Sequence, residues 1–138
     1  MYFFDPGDAM DLSAKRCFVF DLDGTVYMGD TPIPGTVAFI RENLERLDIH
    51  FLTNNTSKNL DDYITKLRGR GIEATLPRML SPLIPLADRL EREGIREIYP
   101  VGNANFQAYL KARLPGLRFG NSEECAAVVV GYDTELTY

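Results

Sequence analysis

Two carboxylates stand two residues apart in Asp21-Leu22-Asp23-Gly24-Thr25, directly behind the apolar run Cys17-Phe18-Val19-Phe20. Carboxylates lose water on burial and repel each other, so something cationic is expected between or beside them. A short apolar run bounded by a glycine turn reads as a strand of a parallel sheet. Asp21 and Asp23 then fall at its C-terminal end, where open α/β sheets place ligands. Gly24 lets the chain turn sharply, and Thr25 offers a hydroxyl to an anion or to the loop. Asp-Gly-Thr after a strand is also ordinary turn chemistry, and these residues alone leave both readings open.

A second polar cluster repeats the arrangement. Ile49-His50-Phe51-Leu52 runs into Thr53-Asn54-Asn55-Thr56-Ser57. That is a strand, then a polar cluster, then a helix start.

The elements that must position these residues follow from periodicity. Residues 1–14 show none and read as an irregular lead-in. The Gly- and Pro-rich stretch 28–35 reads as a loop or small flap over the acidic motif. Thr36 to Asp48 carries Val37, Ile40, Leu44 and Leu47 at helical spacing. Ser57 is placed to cap a helix with Asp61 and Asp62 near its first turn and Leu60, Tyr63, Ile64 and Leu67 as its buried stripe. Ser81-Pro82 opens another helix, carrying Leu83, Leu86, Ala87 and Leu90 and stopping at Gly94. Ile98 to Val101 is a strand that Pro100 should keep short or marginal. Asn103 can cap a helix with Phe106, Tyr109 and Leu110 facing inward, and 126–131 is the plainest strand. Strands alternating with helices predict a Rossmann-like, doubly wound parallel sheet over 15–131.

Bulk properties narrow the function classes. The chain of 138 residues carries a net charge of −5, which speaks against nucleic acid as a partner. Its basic stretches, Arg68–Arg70 and Arg89–Arg96, are mixed with acids and read as solvated faces. No stretch reaches the roughly 18 apolar residues of a membrane span. The start has no basic region of a secretory signal. Cys17 and Cys125 lie in apolar runs without metal spacing, which predicts buried free thiols and a cytoplasmic setting. His50, between Ile49 and Phe51, reads as a packed residue. Tyr27 and Met28 could equally line an entrance or pack under the flap.

Asp21-Leu22-Asp23-Gly24-Thr25-Val26-Tyr27-Met28-Gly29, then Pro32-Ile33-Pro34-Gly35, then Phe51-Leu52-Thr53-Asn54-Asn55-Thr56-Ser57 resembles the haloacid dehalogenase superfamily. The likeness is to its p-nitrophenylphosphatase-like branch, whose large α/β cap is inserted late in the core. Val128-Val129-Val130-Gly131-Tyr132-Asp133 resembles the place where that cap begins, so 132–138 would open it and the core would be incomplete. The C-terminus reads like a cut.

The resemblance implies a phosphatase for a small phosphorylated metabolite such as a sugar phosphate or nucleotide. Asp21 would be the nucleophile that forms an aspartyl-phosphate. Asp23 would be the general acid and then the base for water. Mg²⁺ would sit on the Asp21 carboxylate and the Asp23 main-chain carbonyl. Thr53, the amides near Asn54, Asn55, Gly24 and Thr25 would face the phosphate or substrate, though Asn55 could equally just satisfy its turn. The family's lysine and later acidic pair have no counterpart: Lys58, Lys66 and Lys111 lie on helices, and Glu123-Glu124 precedes a strand instead of following one. A different class also stays open, a non-catalytic half-domain that binds a partner or forms a homo-oligomer through an exposed apolar edge. A phosphoacceptor domain shares the nucleophile, but Asp23 favours hydrolysis by supplying a base.

Overall fold

A computed structural model describes residues 12–121 and 123–134. Strand β1 (Cys17–Asp21) pairs in parallel with β4 (Asp48–Leu52), which pairs in parallel with β5 (Met79–Leu80). Between β1 and β4 lie a small antiparallel hairpin, β2 (Tyr27–Met28) with β3 (Thr31–Pro32), and helix α1 (Pro34–Asn43). Helix α2 (Leu60–Arg68) follows β4, and a 3₁₀ turn at Leu76–Arg78 leads into β5. Helix α3 (Leu83–Arg92), β6 (Glu97–Val101), α4 (Ala104–Arg113), β7 (Arg118–Phe119) and β8 (Ala127–Val130) complete the order. The second sheet runs β7-β6-β8, again parallel.

The parallel α/β architecture expected from the alternating pattern is therefore present, as two three-stranded ladders. They are not laddered to each other because β5 is two residues long and is followed by Ser81-Pro82, which leads straight into α3. A groove lined by Thr56, Pro82, Leu86, Leu90 and β8 lies against the second sheet.

Period-2 alternation sorts the first sheet's side chains by face. Phe18, Phe20, Ile49, Phe51 and Met79 turn toward α1 and α2, whose Val37, Ile40, Leu60, Tyr63, Ile64 and Leu67 complete one core. The stripe expected for α2 is buried at all four of its positions. Among the described residues the opposite face is left largely uncovered. Cys17 is exposed on it, as are Val19 (52%) and Leu52 (41%). The expectation of a buried Cys17 thiol is thus incorrect, and Cys125 is half-buried with its Sγ donating to the Asn121 carbonyl at 2.7 Å. An apolar run shows that a strand exists; it does not show whether both faces are covered.

A second core joins Leu83, Ala87 and Leu90 of α3, Phe106 and Leu110 of α4, Ile98 and Val129. Asn103 caps α4 as expected, its Oδ1 accepting from the Phe106 amide at 3.1 Å. Pro100 does not shorten β6, which is the central strand. Ile98 and Pro100 face the same side, and β7 has ended by Pro100, since it pairs only with Glu97 and Ile98. The missing donor therefore falls where no ladder partner stands. Ser57 does not cap α2: the helix begins at Leu60, so Asn59 holds that position, without a side-chain bond, while the Ser57 amide and hydroxyl both donate to Asn55 Oδ1. Among the described residues no helix is long and apolar enough to cross a membrane.

Candidate active site

Asp21 closes β1 and Asp23 stands two residues beyond, with the wholly buried Leu22 between them. The Leu22 carbonyl accepts from the amides of Thr25, Val26 and Tyr27 at 3.3, 3.0 and 3.3 Å. Gly24 donates to the Tyr27 carbonyl at 2.7 Å. The chain thus coils once around an anchored leucine, and both carboxylates are left exposed to water. Gly24 has φ +88°, and a Cβ there would meet nothing within 4 Å. The demand for glycine is therefore conformational, not steric. Thr25 is half-buried in the turn.

Asp21 is in register with Leu52, so Thr53 lies one residue past the acidic strand end, on a neighbouring strand that runs about 4.8 Å away. The Thr53 amide donates to the Leu80 carbonyl at 3.0 Å, which holds the loop start in line with the sheet. Its side chain is only 2% exposed, and its Oγ1 accepts from the Asn55 amide at 3.3 Å. Asn55 Oδ1 accepts from the Ser57 amide at 2.8 Å and from the Ser57 hydroxyl at 2.7 Å. That carbonyl oxygen is committed to the turn. Asn54 is exposed beside it. Thr53, Asn54, Gly24, Thr25 and both acids are thus brought to one edge of the sheet, while Asn55 braces the loop beneath.

The floor of this edge is aromatic. Tyr27 is 0% and Tyr63 2% exposed, and among the described residues the buried Tyr27 phenol has no hydrogen-bond partner. Burial pushes the Tyr27 phenol far above its ordinary range, and the charge of Asp23 adds to it. Burial likewise raises Tyr63, opposed in part by the Thr53 hydroxyl beside it and reinforced by Asp23. Met28, by contrast, is 70% exposed on the flap.

Residues that pattern reading assigned elsewhere also support the site. Asn103 Nδ2 and Asn105 Nδ2 both donate to the Ser57 carbonyl, at 2.9 and 3.0 Å. The Tyr132 amide donates to Thr56 Oγ1 at 2.6 Å. The second sheet is thereby fastened under the Thr53–Ser57 loop. Asn103 had signalled only a helix cap, and nothing in a linear pattern announces a bond across 46 residues.

Asp21 and the Asp23 carbonyl fit a hard, oxygen-preferring cation: the carboxylate is exposed, and the turn's amides go to the Leu22 and Tyr27 carbonyls, not to that of Asp23. A second ligand-type group, Cys17, Asp48 and His50, lies at the opposite end of the strands with ligand atoms within 4.8 Å of one another. It fits a metal poorly. His50 Nε2 lies 2.9 Å from Asp48 Oδ1, and Nδ1 is buried with no partner among the described residues. Metal on Nε2 would force a proton onto Nδ1 with nothing to accept it.

Residues 18–113 match the haloacid dehalogenase-like hydrolase family. An acid sugar phosphatase of Staphylococcus aureus (strain USA300) is 30% identical over 125 residues, covering 89% of this chain and 48% of the relative. The crystal structure of a 4-nitrophenylphosphatase from Thermotoga maritima superposes with a TM-score of 0.77 at 29% identity, over 92% of this chain and 48% of that one. A p-nitrophenyl phosphatase from Archaeoglobus fulgidus shares the fold at TM-score 0.77 and 23% identity, over 90% of this chain and 48% of its own. The chain spans about half the length of these relatives.

Proposed function

This chain belongs to the haloacid dehalogenase-like hydrolases, and from that premise we propose that it carries the phosphoryl-transfer edge of a Mg²⁺-dependent phosphomonoesterase. The observation that carries the reading is the exposure of Asp21 and Asp23 together at the end of β1, one strand away from Thr53. The kinship to an acid sugar phosphatase and to 4-nitrophenylphosphatases supports a small phosphorylated metabolite as substrate, a sugar phosphate or nucleotide in the cytoplasm.

Asp21 attacks phosphorus with a carboxylate oxygen, forming the aspartyl-phosphate as the P–O bond to the leaving alkoxide breaks. Asp23, protonated at that moment, gives its proton to the alkoxide. Asp23 then takes a proton from water, whose oxygen attacks phosphorus and releases Asp21 and phosphate. The Thr53 hydroxyl and the amides around Asn54 hold phosphate oxygens at the start of the loop leading into α2. The Asp21 carboxylate and the Asp23 carbonyl would hold Mg²⁺, which would supply charge offsetting the repulsion between carboxylate and phosphate dianion. The test is p-nitrophenyl phosphate hydrolysis with and without Mg²⁺, beside Asp21→Asn. Turnover that needs both supports the reading, and turnover independent of Asp21 overturns it.

A second reading is favoured by one observation. Val19, Leu52, Val128 and Val130 leave apolar sheet surface uncovered, at 52, 41, 55 and 72% exposure. Such surface supports self-association or a partner. Sedimentation equilibrium of the chain tests it, with a monomer at all concentrations counting against self-association.

A further inference from the structure

The flap β2–β3 is too small to hold itself in place. Its ladder has two residue pairs, Tyr27 with Pro32 and Met28 with Thr31, and Pro32 has no amide hydrogen to donate. Gly29 sits at the tip with φ +58°, and the tip carbonyls of Gly29 and Asp30 point away from the ladder. Two cations reach them from outside the flap. Lys66 Nζ donates to the Gly29 carbonyl at 2.7 Å, and Arg70 Nη2 donates to the Asp30 carbonyl at 2.7 Å. The same two groups lie against the Tyr27 ring, with Lys66 Nζ 3.9 Å and the Arg70 guanidinium carbon 5.0 Å from its centroid. Arg70 Nη1 also donates to the Lys66 carbonyl at 2.7 Å, which fixes the guanidinium at the end of α2. Arg70, read from the sequence as part of a solvated basic face, is half-buried here.

We propose that Lys66 and Arg70 are positioning residues that pin the flap to α2, making the acidic turn, the flap and the Thr53–Ser57 loop one rigid mouth. The flap grows directly out of the Asp23–Tyr27 turn, and α2 grows directly out of the Thr53–Ser57 loop, so a clamp between them sets the width of the entrance to Asp21. Cation–π contact and charge-assisted hydrogen bonds act on the same two residues, so the clamp does not depend on the exposed Asp30 carboxylate, 3.8 Å from Lys66. The purpose assigned to the clamp rests on the phosphoryl-transfer reading; its existence does not.

Hydrogen exchange measured by mass spectrometry on the whole chain tests it, comparing wild type with Lys66→Met, Arg70→Met and Lys66→Arg. Lys66→Met and Arg70→Met should each speed exchange across 27–33 by roughly tenfold, with β4 and α1 unchanged. Lys66→Arg, which keeps the charge and a donor, should restore near-wild-type protection. Flap exchange unchanged in both methionine variants, or raised equally over the whole chain, overturns the proposal. A kinetic arm separates the two ideas. With p-nitrophenyl phosphate, Lys66→Met should raise KM several-fold more than it lowers kcat. Absence of any Mg²⁺- and Asp21-dependent turnover counts against catalysis by this chain on its own, while the exchange result still decides the clamp.

Discussion

The Asn103 side chain donates from Nδ2 to the Ser57 carbonyl at 2.9 Å while its Oδ1 receives the Phe106 amide at 3.1 Å. One buried amide therefore caps α4 and ties the second sheet to the loop that starts α2. Asn103→Ala should lose both bonds and cost about 2–4 kcal/mol, as a cap and a buried partner are removed together. Asn103→Asp should keep the cap but turn an acceptor toward the Ser57 carbonyl, and so still destabilise. Urea unfolding of both variants checks this, and an Asp variant as stable as wild type would show that the loop bond contributes nothing.

Phe106 is wholly buried between two glycines. A Cβ on Gly102 would approach its ring to 2.6 Å and one on Gly131 to 2.7 Å. Gly131→Ala should destabilise by roughly 1–3 kcal/mol through overpacking, with no positive φ to blame at that residue. Thermal unfolding of Gly131→Ala alongside Gly35→Ala, where an added Cβ meets nothing, isolates the steric effect.

Three tyrosines should ionise late. Burial holds Tyr27, Tyr63 and Tyr109 above the ordinary phenol range. A group whose folded pKa is raised binds its proton more tightly in the native state, so its contribution is fully present below about pH 10 and is lost as pH rises beyond that. Absorbance titration should show the buried phenols ionising late and together with alkaline unfolding. Tyr27→Phe and Tyr63→Phe should each shift that unfolding to higher pH. An unchanged alkaline midpoint in both would contradict the assignment.

Much of this was legible in the sequence because periodic burial leaves a periodic trace. The stripe of α2, the Asn103 cap and the strand at β8 were readable in that way. Strands β5 and β7 were not, since two residues cannot display a period. The hairpin 27–32 was hidden among glycine and proline. Ser57 has the right type for a cap, yet Asn55 sits two residues upstream and claims it. Cys17 and Arg70 show a shared limit: exposure is decided by what covers a face, and that is tertiary information.

Within the site, Asp23→Asn should leave metal binding through its carbonyl intact while lowering turnover by roughly 10²–10⁴-fold, the usual contribution of general acid–base catalysis. Asp21→Asn should abolish turnover and weaken Mg²⁺ binding as well. Calorimetric Mg²⁺ titration of the two variants separates the roles, and equal loss of metal binding in both would contradict them.

The central claim is that Asp21 itself accepts the phosphoryl group. The most direct measurement is an acid quench during p-nitrophenyl phosphate turnover, followed by mass spectrometry of the peptide that contains residues 17–27. The expected result is one phosphate on Asp21 in wild type, accumulating in Asp23→Asn and absent in Asp21→Asn. Turnover with no phosphate on that peptide, or with phosphate on another residue, would contradict the claim.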